Sequence, residues 1–322
     1  RSTPLYSSAA SDVYKRQMFT FASQAEAQRL QSNPQPPFEI ISVQGNVYLI
    51  PGAGGNVTVQ IGDDGILLVD SGAQENTQQM LETVSQLSDL PIRRIVNTHI
   101  HEDHTGGNAI LAEAGQHITY LESGISGAGI YAHESVLHRM SGSLGETSTF
   151  EPENWPLETY FTDVMELYFN DESIQILHQP AAHTDGDSIV YFRRSDVIST
   201  GDIFVTTSYP FIDVERGGTL QGIIDALNRI IALMIPAANE EGGTLAISGH
   251  GRIADEYGVA IYRDMLTIIR DRIIDMIEKG MNLEQVKAGR PTMDYDGIYG
   301  LNSEFWSTER FIEAIYEEFA LD

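Results

Sequence analysis

Asn97–Gly107 reads NTHIHEDHTGG, and it follows a short β-type run, IRRIV, at Ile92–Val96. Three of the chain's nine histidines and two carboxylates fall within the six positions His99–His104. The pattern H-x-H-x-D-H predicts an irregular loop at the end of a strand. Such a loop turns His99, His101, Asp103 and His104 toward one point, whereas a helix aligns side chains only at i, i+3 or i+4. Neutral imidazole and carboxylate are good ligands for zinc and neighbouring transition metals. Gly106 and Gly107 let the backbone turn into the next element without a Cβ in the way.

Working outward, short β-type runs begin at Phe38: FEIISV, NVYLI, VTVQI and ILLVD, separated by turn residues. They read as an antiparallel meander. A helix is expected over Gln74–Leu87, another over Asn108–Ala114, a strand at His117–Leu121 and a helix at Glu134–Met140. GSLGETSTFEPEN then reads as a flexible connection. Strands return with VMELYF, SIQILH, SIVYF and DVIST. A helix at Leu220–Met234, a strand LAISG, a long helix at Asp255–Lys279, and helices at Leu283–Lys287 and Thr308–Phe319 complete the chain. Two β-rich halves, each followed by helices, predict an α/β (α+β) fold: a four-layer αβ/βα sandwich over residues 38–253. Residues 254–322 form a helical extension expected to pack on the same domain, or at a homodimer seam.

Further ligand-type residues occupy the same kind of place, just past a strand. His183 follows SIQILH in QPAAHTDGD, Asp202 follows DVIST, and His250 sits between glycines in LAISGHGR. This shared placement predicts that they converge with the first cluster. His117, His133, His138 and His178 read as structural or surface residues. The loop TTSYPFIDVERGG (Thr206–Gly218) is placed to form a wall of the pocket, or is a plain connector.

Composition narrows the chemistry. The 322 residues contain no cysteine, which excludes disulfides, thiolate metal sites and cysteine nucleophiles. Forty-six acids against 19 bases give a net charge of −27, which argues against nucleic acid or anionic membrane as a general partner. No G-x-S-x-G elbow offers a serine nucleophile. Residues 1–37 read as a disordered tail: RSTPLYSSAASDVYKRQ looks like adaptor read-through and QSNPQPP is a linker. AEA at Ala25–Ala27 resembles a signal cleavage site behind a truncated apolar core. A signal would imply a periplasmic or secreted protein; a plain tail, a cytoplasmic one.

Taken in order, LLVDSG, THIHEDHTGG, AAHTDGD, STGDIF and SGHGR make the chain resemble the metallo-β-lactamase fold superfamily of metal-dependent hydrolases, over about Phe38–Arg252. The resemblance implies two divalent cations, zinc foremost, with iron or manganese as alternatives. One would be held by His99, His101 and His183, the other by Asp103, His104 and His250, with Asp202 bridging. Asp70 would orient ligands from behind them. It further implies a metal-bridging hydroxide as nucleophile, Asp103 as the residue that orients it or shuttles its proton, and a small-molecule substrate. The bridging aspartate and absent cysteine look glyoxalase-II-like or lactonase-like, and the helical extension looks like that of bacterial hydrolases. The expected reaction is cleavage of an ester, thioester, lactone or lactam. The alternatives are activity on β-lactam antibiotics, and a metal-bearing electron-transfer or binding module without hydrolysis.

Overall fold

The computed structural model describes residues 36–118, 127–143, 148, 150–239 and 242–320. Alternation along the strands builds its layers. In β1 (Ile41–Gln44), β2 (Val47–Ile50), β3 (Val57–Gly62) and β4 (Gly65–Val69), successive side chains point to opposite faces. Val47, Leu49, Leu67 and Val69 face a second sheet. Ile50, Val57, Val59, Ile66 and Leu68 instead face helices. Both faces are apolar, so the strands read as nearly continuous hydrophobic runs, as buried strands do.

The first sheet continues through β5 (Ile92–Val96), β6 (Gly129–His133) and β7 (Glu158–Tyr160), in the order β1-β2-β3-β4-β5-β6-β7. Its first four strands are antiparallel, as the meander pattern predicts, and β4 to β7 are parallel. Parallel neighbours need crossovers. Helices α1 (Thr77–Val84), α2 (Glu102–Thr105), α3 (Asn108–Ala114) and α4 (Glu134–Met140) lie in them. The second sheet is formed by β8 (Val164–Phe169), β9 (Glu172–Gln179), β10 (Asp187–Phe192), β11 (Val197–Ser199), β12 (Leu245–Ile247) and β13 (Ile253–Ala254). They lie in consecutive order across it, antiparallel except for β11 with β12. Phe169, Ile174, Ile176, Val190 and Phe192 pack against the first sheet.

The outer face of the second sheet is covered by α5 (Leu220–Leu233), α6 (Glu256–Glu278), α7 (Leu283–Gly289), α8 (Asp296–Tyr299) and α9 (Thr308–Ala320). Helix α5 starts where the Thr219 hydroxyl accepts from Gly222 N at 2.9 Å, and α6 where Asp255 accepts from Gly258 N at 2.9 Å. Val259, Tyr262, Leu266, Ile269 and Ile273 bury one stripe of α6 at helical spacing. They share a core with Leu227 of α5, Val286 of α7 and Phe311 of α9. The result is the expected four-layer sandwich, helix–sheet–sheet–helix, with the C-terminal helices in its outer layer. Residues from Phe38 onward form one compact unit, and β13 spans the expected boundary at 253.

Some expectations need correction. The helix expected over Gln74–Leu87 is a 3-10 turn, Gln74–Asn76, followed by a helix that ends at Val84. The irregular loop of the histidine motif is half helical: His101 is the N-cap of α2, so Asp103 and His104 project from a helical turn. The strands β6, β7 and β13 and the turn α8 were not expected. The strand expected at 117–121 falls largely on residues 119–126, outside those described, and Gln116 makes only an isolated bridge with Gly127. The tail and its signal-like segment, residues 1–35, also lie outside the described residues. Among those described, no helix is long and apolar enough to cross a membrane.

Candidate metal centre

Four strand ends meet on one rim. His99, His101, Asp103 and His104 follow β5, His183 lies between β9 and β10, Asp202 follows β11 and His250 follows β12. Their ligand atoms form three overlapping groups, each with its atoms within 4.8 Å of one another: His99 with His101 and His183, His99 with His104 and Asp202, and Asp103 with His104 and His250. Asp202 reaches both sides: Oδ1 is 3.2 Å from His104 Nε2, and Oδ2 is 3.4 Å from His250 Nε2 and 3.8 Å from His183 Nε2. All seven expected residues therefore come together. His117, His133, His138 and His178 do not join them. His117 Nε2 bonds Glu158 at 2.7 Å, and the His133 and His178 rings stack at 3.5 Å.

The surroundings fix which nitrogen each ring presents. His104 Nδ1 bonds Asp70 Oδ2 at 2.8 Å, and His183 Nδ1 bonds the Phe211 carbonyl at 2.6 Å. A carboxylate or carbonyl accepts, so both Nδ1 atoms carry the proton and both Nε2 lone pairs face the cluster. Asp70 also accepts from Thr98 N at 2.7 Å and Thr98 Oγ1 at 2.8 Å. It holds this position at φ 66°, a conformation that Asp and Asn adopt more readily than other side chains.

His101 is turned the other way. Its Nε2 bonds Asp213 Oδ2 at 2.8 Å, so its Nδ1 lone pair faces His183 Nε2 at 2.9 Å. Two acceptors facing each other at that range need a proton or a cation between them. Asp213 is a residue that sequence reasoning missed; its loop was read as either a pocket wall or a plain connector, and Asp213 itself was not singled out. It is buried and also accepts from Arg216 Nη1 at 2.8 Å.

Charge follows burial and partners. Burial and the neighbouring His104 hold His99 well below the usual histidine range. Burial and His101 push His183 down to about 4, which leaves both rings neutral and able to ligate. Burial also disfavours charge on His104 and His250, but carboxylates outweigh it. Asp202 and Asp70 raise His104, and Asp202 with the bond to Asp103 raises His250 to about 9. Burial would raise Asp202, yet the adjacent His104 and His250 hold it well below the carboxylate range. Without a metal, protons on His104 and His250 balance Asp202 and Asp103; a bound cation would displace those protons from Nε2 and take over the same balancing role.

Two observations fit a metal. His99 Nε2 and Asp202 Oδ1 are buried without a hydrogen-bond partner, and a buried polar atom in that state costs about 1–3 kcal/mol unless something binds it. A Cβ at Gly249 would overlap Asp202 Oδ1, and one at Gly55 would overlap the His104 ring. Both positions need glycine for the donors to be where they are. Gly106 and Gly107 act through close approach as well: their φ values are an ordinary −63° and −83°. A Cβ on Gly106 would lie 2.7 Å from Gln74 N, and one on Gly107 would overlap the Ser71 carbonyl.

Four of the seven, His101, Asp103, Asp202 and His250, line a cleft of about 690 Å³ together with apolar side chains that include Phe211, Leu301, Phe305 and Trp306. That volume lies within the range of small-molecule sites.

A sequence model of the metallo-beta-lactamase superfamily matches residues 50–255, more than half of the chain. The chain is 22% identical over 262 residues to the linear primary-alkylsulfatase of a Pseudomonas species, which covers 69% of this chain and 47% of that protein. It is 21% identical over 193 residues to the type 2 metallo-beta-lactamase of a Bacillus species, covering 60% of this chain and 65% of that protein. The solved structure of the stereoselective inverting sec-alkylsulfatase Pisa1 from Pseudomonas sp. superposes with a TM-score of 0.63 at 15% identity. That match covers 88% of this chain and 50% of the other. The chain spans about half the length of the alkylsulfatases it matches.

Proposed function

This chain belongs to the metallo-β-lactamase superfamily of metal-dependent hydrolases, and we propose that it works with two divalent cations, zinc foremost, to cleave a carboxylic ester, thioester, lactone or lactam. His99, His101 and His183 would hold one cation, Asp103, His104 and His250 the other, and Asp202 would touch both. Cations there would supply Lewis-acid polarisation of the substrate oxygen and a water acidified to near neutrality.

The chain's own residues do the rest. Asp70, Asp213 and the Phe211 carbonyl hold three imidazoles in the tautomers that ligation needs. Asp103 is the ligand-type carboxylate most open to the cleft. Burial would raise its pKa, but the bond to His250 and the charge of His104 hold it ionised. Its oxygen can therefore accept a proton from water and pass it to the leaving group. Phe211, 5.7 Å from both the His101 and His183 rings, lines the same cleft and puts aromatic carbon beside them.

The observation that carries this reading is the convergence of seven donors from four strand ends around a buried, unpartnered His99 Nε2. A second reading, hydrolysis of an alkyl sulfate ester, is favoured by the likeness to the alkylsulfatase. The test is elemental analysis of the purified protein, followed by a panel of aryl esters, a thioester, a lactone, nitrocefin and an alkyl sulfate. The expected result is two metal equivalents and turnover of carboxyl substrates that a chelator abolishes and added metal restores. Turnover of the alkyl sulfate alone supports the second reading, and no metal-dependent hydrolysis at all contradicts both.

A further inference from the structure

We infer that the segment carrying Leu301, Phe305 and Trp306 is the specificity wall of this site and selects substrates that bear an uncharged, extended apolar group. The inference rests on the hydrolase reading and names its substrate class. Phe305 and Trp306 lie between α8 and α9, far in sequence from every ligand, yet they line the same cleft as His101, Asp202 and His250. The link is Phe211. Its ring is 5.7 Å from the His101 and His183 rings, 4.8 Å from Phe305 and 4.9 Å from Trp306. A group reacting over the histidines therefore has its adjoining atoms against aromatic carbon.

The wall is unfinished as it stands. Phe305 is 67% exposed and Leu301 38% exposed, although both border a concave site. Apolar surface left open beside a reaction centre is what a substrate's apolar portion covers. Charge points the same way. Arg216, which lines the cleft, is already paired with Asp213 at 2.8 Å, and Glu102 and Asp103 line the cleft as well. An anionic tail is therefore disfavoured. Trp306 Nε1 is buried without an acceptor, a donor that an ester or ether oxygen at the head of such a group would satisfy.

The test uses two readouts. In the first, p-nitrophenyl esters from acetate to octanoate are compared by kcat/KM. Each methylene buried on the wall is expected to raise it by up to about fourfold, the equivalent of about 0.8 kcal/mol. Phe305→Ala, at a largely exposed position, should flatten this slope, with the loss in kcat/KM growing from acetate to octanoate. In the second, Trp155→Phe leaves Trp306 as the only indole of two in the chain. Its fluorescence is then titrated with 1-alkanols from butanol to decanol. The affinity should climb with chain length, and the climb should be lost in the Phe305→Ala background.

A slope absent in both series, or unchanged by Phe305→Ala, overturns the inference. Alkanol binding that rises with length while no substrate of the ester, thioester, lactone, nitrocefin and alkyl sulfate panel is cleaved supports the wall and defeats the hydrolase reading instead. Ester cleavage with no dependence on length does the reverse.

Discussion

Asp70 is buried and reaches the cluster directly through His104 and, by way of the Thr98 hydroxyl, through His99, so its removal tests whether the imidazole tautomers matter. Its carboxylate is the acceptor for Thr98 N, Thr98 Oγ1 and His104 Nδ1, at 2.7, 2.8 and 2.8 Å. In Asp70→Ala the Thr98 hydroxyl keeps its contact with His99 Nδ1, 3.0 Å away, by accepting that ring's proton, but Thr98 N and His104 Nδ1 are left buried and unpaired. At about 1–3 kcal/mol each, those two orphans cost about 4 kcal/mol. Alanine at φ 66° adds about 1–2 kcal/mol of backbone strain, which Asp70→Gly does not carry. Asp70→Asn separates stability from ligation. Asparagine tolerates the backbone, and its oxygen can still accept from Thr98 N. Its amide then faces His104 Nδ1, a donor against a donor. The His104 proton moves to Nε2, and the ring ceases to be a ligand. The expected result from urea melts is Asp70→Ala as the least stable variant, Asp70→Gly above it, and Asp70→Asn nearest the parent. In metal titrations Asp70→Asn should weaken one of two cations about 10- to 100-fold. A stably folded Asp70→Asn protein that binds both cations at parental affinity would refute the reasoning.

Three shorter predictions accompany it. Asp103→Ala should fold normally and keep at least one cation, yet lose about 10²–10⁴-fold in kcat; near-parental turnover in the metal-loaded variant would remove Asp103 from proton transfer. Asp213→Ala frees the His101 ring and strands the Arg216 charge, so affinity at the three-histidine site should fall about 10- to 100-fold, read by competition with a chromogenic chelator. His133 is driven down to about 4 by burial and by the stacked His178. Its folded state prefers the neutral ring, so its contribution to stability is complete above pH 6.5 and is lost as pH falls toward 4. In His133→Asn the loss of stability between pH 6.5 and 4 should be shallower by about 1 kcal/mol, measured by urea melts of metal-free protein.

The fold was legible wherever side-chain periodicity carried it. Val47 and Leu49 against Tyr48 and Ile50 announce a strand between two apolar layers, and Val259 to Ile273 announce a helix covering one of them. The site was legible because its donors cluster in short motifs at strand ends, where a loop gives histidine and aspartate no role in the core. Other features carry no local signal. The three-residue β7 is too short to alternate, and its pairing with β6 depends on partners 27 residues upstream. The turn α2 is hidden because HEDH satisfies a ligand pattern as well as a helical one. Asp213 sits in a loop of mixed character, and only the fold shows that its carboxylate meets His101. Phe305 and Trp306 are similarly silent, since their meaning depends on a contact with Phe211 about ninety residues away.

The central claim is that seven side chains from separate strand ends hold a pair of cations. Crystals grown with zinc and measured above and below the zinc absorption edge test it directly. The account predicts two anomalous peaks, one bonded by His99 Nε2, His101 Nδ1 and His183 Nε2, the other by Asp103, His104 and His250, with an Asp202 oxygen beside each. No peak within bonding distance of His99 Nε2, or zinc found only elsewhere on the molecule, would contradict it.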